Sequence, residues 1–177
     1  MAKYKQRIAD RILKRKVLGK GAVLIEGPKW CGKTTTAKQL AKSVLDLGDS
    51  SVLMQSAQLI ELSPKTLLDG KTPRLIDEWQ ALPPIWDSIR SEVDKRGEPS
   101  QFILTSSSVL PEADATIHSG TGRFAHIKMR PMSLYESGES NGKVSLKDLF
   151  EGKDLAPQTN ELDIDDIAYL TCRGGWP

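Results

Sequence analysis

Only two of the 177 residues are cysteine, two are histidine, and no apolar run is long enough to cross a bilayer. The missing run excludes a membrane-spanning helix as the expected architecture. The start, MAKYKQRIADRILKRK, is basic but has neither the apolar centre nor the small-residue cleavage site of a secretory signal. Cys31 and Cys172 are too few for a disulfide scaffold, so free thiols are expected and a cytoplasmic location is the default. His118 and His126 share no ligand-like spacing with cysteines or acids, so no zinc site is expected. The net charge of +2 singles out no class of partner. The remaining composition is that of one ordinary α/β domain with a buried core.

Charge is unevenly spread. Between Lys3 and Lys20 there are eight Lys/Arg and one acid, whereas acids dominate from Glu151 to Asp166. The basic stretch reads as an amphipathic helix with Tyr4, Ile8, Ile12 and Val17 on one side and a solvated basic face on the other. Contact of that face with nucleic acid or with a membrane surface is the alternative use of the same charges.

Strand and helix signals then alternate. Strands are expected at 21–26, 51–55, 74–77, 101–105 and 124–129. Helices are expected at 35–47, from Ser63-Pro64 to Asp69, from Pro83-Pro84 to Gly97, after a cap at Ser145, and over 163–170. The polar segment 111–121 reads as an exposed loop, and 137–142 as a flexible connector. This alternation predicts a mainly parallel sheet covered by helices on both faces.

Gly27, four residues, then Gly32-Lys33-Thr34 is the spacing of a phosphate-binding loop, with a strand before it and a helix after it. Glycine at 27 and 32 lets several backbone N–H groups turn toward one anion, so Gly27, Pro28, Lys29, Trp30, Cys31 and Gly32 are candidate nucleotide contacts. Lys33 is expected to reach the β- and γ-phosphates, Thr34 to hold Mg²⁺, and Thr35 to reach the α-phosphate. Leu75-Ile76-Asp77-Glu78 is an apolar strand ending in two acids. Asp77 is the candidate metal contact and Glu78 the candidate base for an attacking water. Trp79 is expected to pack, with shielding of that water as the alternative. Thr105 and Ser107, at the end of QFILTSS, are both candidates for a polar sensor between Glu78 and the terminal phosphate. Arg123 follows a glycine-flexed loop and is a candidate to neutralise charge at a neighbouring copy's site, which makes a homo-oligomer a candidate assembly. No Asn-Lys-x-Asp segment is present to read guanine, and the paired acids set the chain apart from small-molecule kinases.

The segments GAVLIEGPKWCGKTTTAKQLAKS, RLIDEWQALPPIWDSIRSEVD, QFILTSSS, HSGTGRFAHIKMRPMSLYESGES and RGGWP resemble, over essentially the whole chain, prokaryotic AAA+-type ATPases. Those proteins join an amino-terminal AAA domain to a carboxy-terminal domain of poorly defined role. The resemblance implies a five-stranded, three-layer αβα P-loop NTPase core that uses ATP with Mg²⁺, with Arg123 as an arginine finger. It also implies that Arg7 and Ile8, in YKQRIAD, lie near the adenine. Ser106 departs from the glycine usual before the sensor serine. Relatives continue past the Gly-Gly-aromatic-Pro segment into a helical lid, so the lid is expected to be truncated here.

The expected organisation is a basic helix over 1–20 packed on the core, an ATPase core over 21–136, and a helical extension over 137–177. The expected function is Mg²⁺-dependent ATP binding and hydrolysis as a nucleotide switch or assembly module. The alternatives are a non-hydrolysing ATP-binding scaffold and an ATPase linked to nucleic acid. No membrane partner is expected.

Overall fold

The computed structural model describes residues 4–107, 121–154 and 161–176. Most of the loop expected at 111–121, with His118, lies outside them. The chain divides into two compact units, Arg7–Arg130 and a second made of 1–6 with 131–177.

The larger unit begins with α1 (Ile8–Gly19), β1 (Ala22–Glu26), α2 (Lys33–Lys38), β2 (Ser43–Asp46), α3 (Ser50–Leu62) and α4 (Pro64–Leu68). It continues through β3 (Arg74–Asp77), α5 (Ile85–Arg96), β4 (Phe102–Ser106) and β5 (Phe124–Lys128). The strands form one five-stranded sheet in the order β2-β3-β4-β1-β5, and every pairing is parallel. Alternation along each strand sends side chains to opposite faces. Ala22, Leu24, Ile76, Phe102 and Leu104 join one buried cluster with residues of α3, α4 and α5. Val23, Ile25, Leu75, Ile103 and Ile127 join the other, with Leu13 and Val17 of α1 and Ala37 of α2. This is the expected three-layer αβα P-loop fold.

The second expected strand is misplaced. Residues 51–55 lie inside helix α3, and the strand is β2, inside the stretch read as helix 35–47. Asp49 explains the first correction: its carboxylate accepts from the N–H groups of Ser51 at 2.8 Å and Val52 at 3.3 Å, capping a helix whose Ser56 and Ile60 are buried. The short apolar run Val52-Leu53-Met54 fits either element by run alone. β2 is four residues at the sheet edge, with only Leu45 fully inside, so it lacks the run that marks central strands. Its backbone is claimed by β3 through Ser43↔Arg74 to Asp46↔Asp77.

α1 is also rotated from expectation. Leu13 and Val17 are buried and Ala9 packs beside them, whereas Ile8 and Ile12 are exposed. The 9-13-17 stripe, four residues apart, meets the sheet, so Val17 of the expected face is buried while Ile8 and Ile12 are not. Lys14 and Arg15 remain exposed, as a solvated basic face requires.

In the smaller unit, α6 (Leu134–Ser137), α7 (Leu146–Phe150) and α8 (Ile164–Arg173) are the described helices. Met132 N–H donates to the Gly175 carbonyl at 2.5 Å, and a Cβ at Gly175 would fall 2.3 Å from the Met132 oxygen. Glycine there lets the closing segment lie against 131–132. The Arg173 guanidinium bonds Glu139 at 2.8 Å and, with Ser137, holds that carboxyl at about 2, below its ordinary 4.5.

Trp86 carries the packing between α5 and the sheet. Its ring lies 4.3 Å from Phe124 in a stacked pair and 4.8 Å from Trp79 in a tilted one. Trp86→Ala should destabilise the protein by about 3–5 kcal/mol. Urea unfolding followed by tryptophan fluorescence and far-UV circular dichroism checks this, and a midpoint equal to that of the wild type would contradict it.

Candidate functional site

The parallel register brings the carboxyl ends of β1, β3 and β4 together, which is where open α/β sheets place their ligands. Beyond β1 the chain turns through 27–32 into α2. A Cβ at Gly27 would sit 2.2 Å from the Met129 carbonyl oxygen, so only glycine lets the loop pass the end of β5. Gly32 has φ 97° and Trp30 φ 64°, both left-handed. The Trp30 side chain is 81% exposed, whereas Cys31 behind it is fully buried.

Arg7 braces this loop from outside. Its Nη1 donates to the Cys31 carbonyl at 2.7 Å and its Nη2 to the Arg130 carbonyl at 2.8 Å. Ile8 points to the exterior. The loop conformation is thus tied both to α1 and to the end of β5.

Lys33 is 4% exposed, and its ammonium donates to the Pro28 carbonyl at 2.9 Å across the loop. Thr34 Oγ1 donates to Asp77 Oδ1 at 2.9 Å, and Thr105 Oγ1 donates to the same oxygen. The Glu78 N–H donates to Thr105 Oγ1 at 3.0 Å, and Ser107 Oγ donates to Glu78 Oε2 at 2.7 Å. Thr34, Asp77, Glu78, Thr105 and Ser107 therefore form one hydrogen-bonded cluster, and the Lys33 charge acts on Glu78 within it. Thr35 is exposed on α2. Trp79 is fully buried against Trp86.

Burial pushes the Asp77 carboxyl up, and the nearby Asp46 and Glu78 charges add to this against the two hydroxyl bonds. Burial also acts to raise Glu78. Hydrogen bonds from Ser107 and Gln80 and the Lys33 charge outweigh it and hold Glu78 below its ordinary value, ionised at neutral pH. A threonine hydroxyl and a carboxylate in contact are a hard-oxygen donor set that suits Mg²⁺, and a glycine cradle with a buried lysine suits a polyphosphate. The residues fit both groups.

A family model described as an AAA domain matches residues 19–138. The chain belongs to that family. No curated protein matches it. Among solved structures that do match is C. elegans PCH-2, 16% identical, with a TM-score of 0.41. The match covers 71% of this chain and 43% of that one, so the chain spans less than half of its length. As an AAA domain, the protein is a nucleotide-binding unit of the ATPase type.

One candidate of this AAA domain stands apart from the cluster. Arg123 immediately precedes β5, whose register pairs Phe124 with Ala22, the first residue of β1. It lies at the amino edge of the sheet, opposite the loop, and its Nε bonds Asp94 at 2.5 Å. It does not reach its own site. Gln80, by contrast, belongs to the cluster and was not singled out from sequence; the available signal was a glutamine two residues beyond the second of the paired acids. Arg7 bonds the loop carbonyl of Cys31, a contact that no residue pattern announces.

Gly27→Ala forces its new methyl against the Met129 carbonyl, an overpacking of about 1–3 kcal/mol. ATP affinity should fall by about tenfold or more. Isothermal titration calorimetry checks this, and an unchanged affinity would contradict the close approach.

Proposed function

We propose that this AAA domain binds ATP with Mg²⁺ and hydrolyses it, serving as a nucleotide switch or assembly module. The observation that carries the reading is the hydrogen-bonded series Thr34–Asp77–Thr105–Glu78–Ser107 beside the buried Lys33. The Lys33 ammonium exchanges its Pro28 partner for phosphate oxygens and neutralises their charge. Thr34 and Asp77 would hold the metal. Mg²⁺, when bound, spreads the negative charge of the β- and γ-phosphates.

Glu78 accepts a proton from water as the water oxygen bonds to the γ-phosphorus and the bond to the bridging oxygen breaks. The products are ADP and inorganic phosphate. Its depressed pKa keeps the carboxylate ionised to do this at neutral pH. Thr105 fixes the backbone of Glu78, and Ser107 fixes its side chain, so the two sensor candidates divide one task. Arg123 is assigned to the site of a second copy, where an arginine is worth ~10³–10⁵ in rate. Its bond to Asp94 must break first.

Steady-state phosphate release tests the assignment. Lys33→Ala should abolish ATP binding and turnover together. Glu78→Gln should lower kcat by about 10²–10⁴-fold while ATP binding persists in equilibrium dialysis. Equal turnover in wild type and Glu78→Gln would remove Glu78 as the base.

A further inference from the structure

The Glu78 carboxylate is held by more than its own strand. Glu78 adopts left-handed backbone, φ 52° and ψ 47°, where β3 passes into the 3-10 turn Trp79–Ala81. That turn is closed by Ala81 N–H to the Glu78 carbonyl and Leu82 N–H to the Trp79 carbonyl, both at 3.0 Å. Trp79, fully buried against Trp86, anchors the turn in the core. The chain is thereby folded so that the Gln80 side chain returns over the carboxylate two residues before it.

Gln80 Nε2 donates to Glu78 Oε2 and lies 3.4 Å from Ser107 Oγ. Ser107 donates to the same carboxylate oxygen twice, through Oγ at 2.7 Å and through its N–H at 3.3 Å. A carboxylate only accepts, so the amide must present its NH₂ to Glu78 and not its oxygen. The Gln80 carbonyl oxygen is buried without a donor among the described residues. Three donors converge on Oε2, and none among the described residues bonds Oε1.

We propose that Gln80 is a positioning residue for Glu78: together with Ser107 it anchors the carboxylate through Oε2 and leaves Oε1 to face the attacking water. The proposal rests on the reading of Glu78 as the base. The terminal torsion of a glutamate is broad, so an unanchored carboxylate samples many orientations. A base must come within about 2.6–3.2 Å of the proton donor, a tolerance that free rotation does not meet. Gln80 touches no reacting atom and acts only through Glu78. A space-filling role makes the opposite forecast for one substitution. Gln80→Glu keeps the size and shape of the side chain but replaces the donor with a second carboxylate.

The test measures kcat and KM for ATP, by single-turnover and steady-state phosphate release, in five proteins. These are the wild type, Gln80→Ala, Gln80→Glu, Glu78→Gln and the double variant Gln80→Ala/Glu78→Gln. Gln80→Ala should lower kcat by about tenfold or more with KM within about twofold. Gln80→Glu should lose at least as much, and Gln80→Ala should add no further loss in the Glu78→Gln background. Wild-type kcat in Gln80→Ala beside an inactive Glu78→Gln would overturn the proposal and leave the base reading standing. Activity retained in Gln80→Glu but lost in Gln80→Ala, or an equal loss in both backgrounds, would overturn it as well. Wild-type turnover in Glu78→Gln would overturn the base reading, and the positioning role with it.

Discussion

Oδ1 of Asp77 is where the site is assembled. Thr34 reaches it from the start of α2 and Thr105 from the end of β4, while Asp77 itself ends β3. Three segments far apart in sequence thus share one acceptor, and Thr105 extends the connection to the Glu78 backbone. Desolvating a carboxylate is costly, and here two hydroxyls partly offset that cost. The remaining imbalance shows in the raised pKa of Asp77, to which the Asp46 and Glu78 charges add.

The sheet register makes this meeting possible. Leu75↔Ile103 and Ile76↔Leu104 set Asp77 beside Thr105, and a slip of one residue would send every side chain of β3 to the wrong face. The two buried clusters enforce the register, since Leu75 and Ile76 belong to opposite sides of the sheet. On one side Trp79 and Trp86 fix the turn after Glu78. On the other, Leu13 and Val17 seat α1, which lets Arg7 grip the loop at Cys31. The core thus fixes both the acids and the phosphate loop.

Much of this was legible in the sequence for identifiable reasons. β1, β3 and β4 are flanked on both sides in the sheet and buried on both faces, so AVLI, Leu75-Ile76 before its acids, and FILT stand out. β2 did not stand out, because an edge strand of four residues buries little and its neighbours mimic a helix. Asp49 was the missed clue that Val52-Leu53-Met54 begin a helix and not a strand. Lys33, Thr34, Asp77, Glu78, Thr105 and Ser107 were readable around the ends of three strands in the sequence, and the parallel register is what brings them into one cluster. Gln80 was not, since its role depends on a left-handed turn at Glu78 that spacing alone does not reveal. The partner of Arg123 was equally hidden: only the register and the fold of α5 put Asp94 beside it.

Asp77 joins the start of α2 to the ends of β3 and β4, and it is the proposed seat of the metal. Titration of ATP into the wild type and Asp77→Asn, each with and without Mg²⁺, tests it most directly. The wild type should bind ATP more tightly with Mg²⁺, and Asp77→Asn should lose most of that enhancement. The same Mg²⁺ enhancement in both proteins would contradict the account.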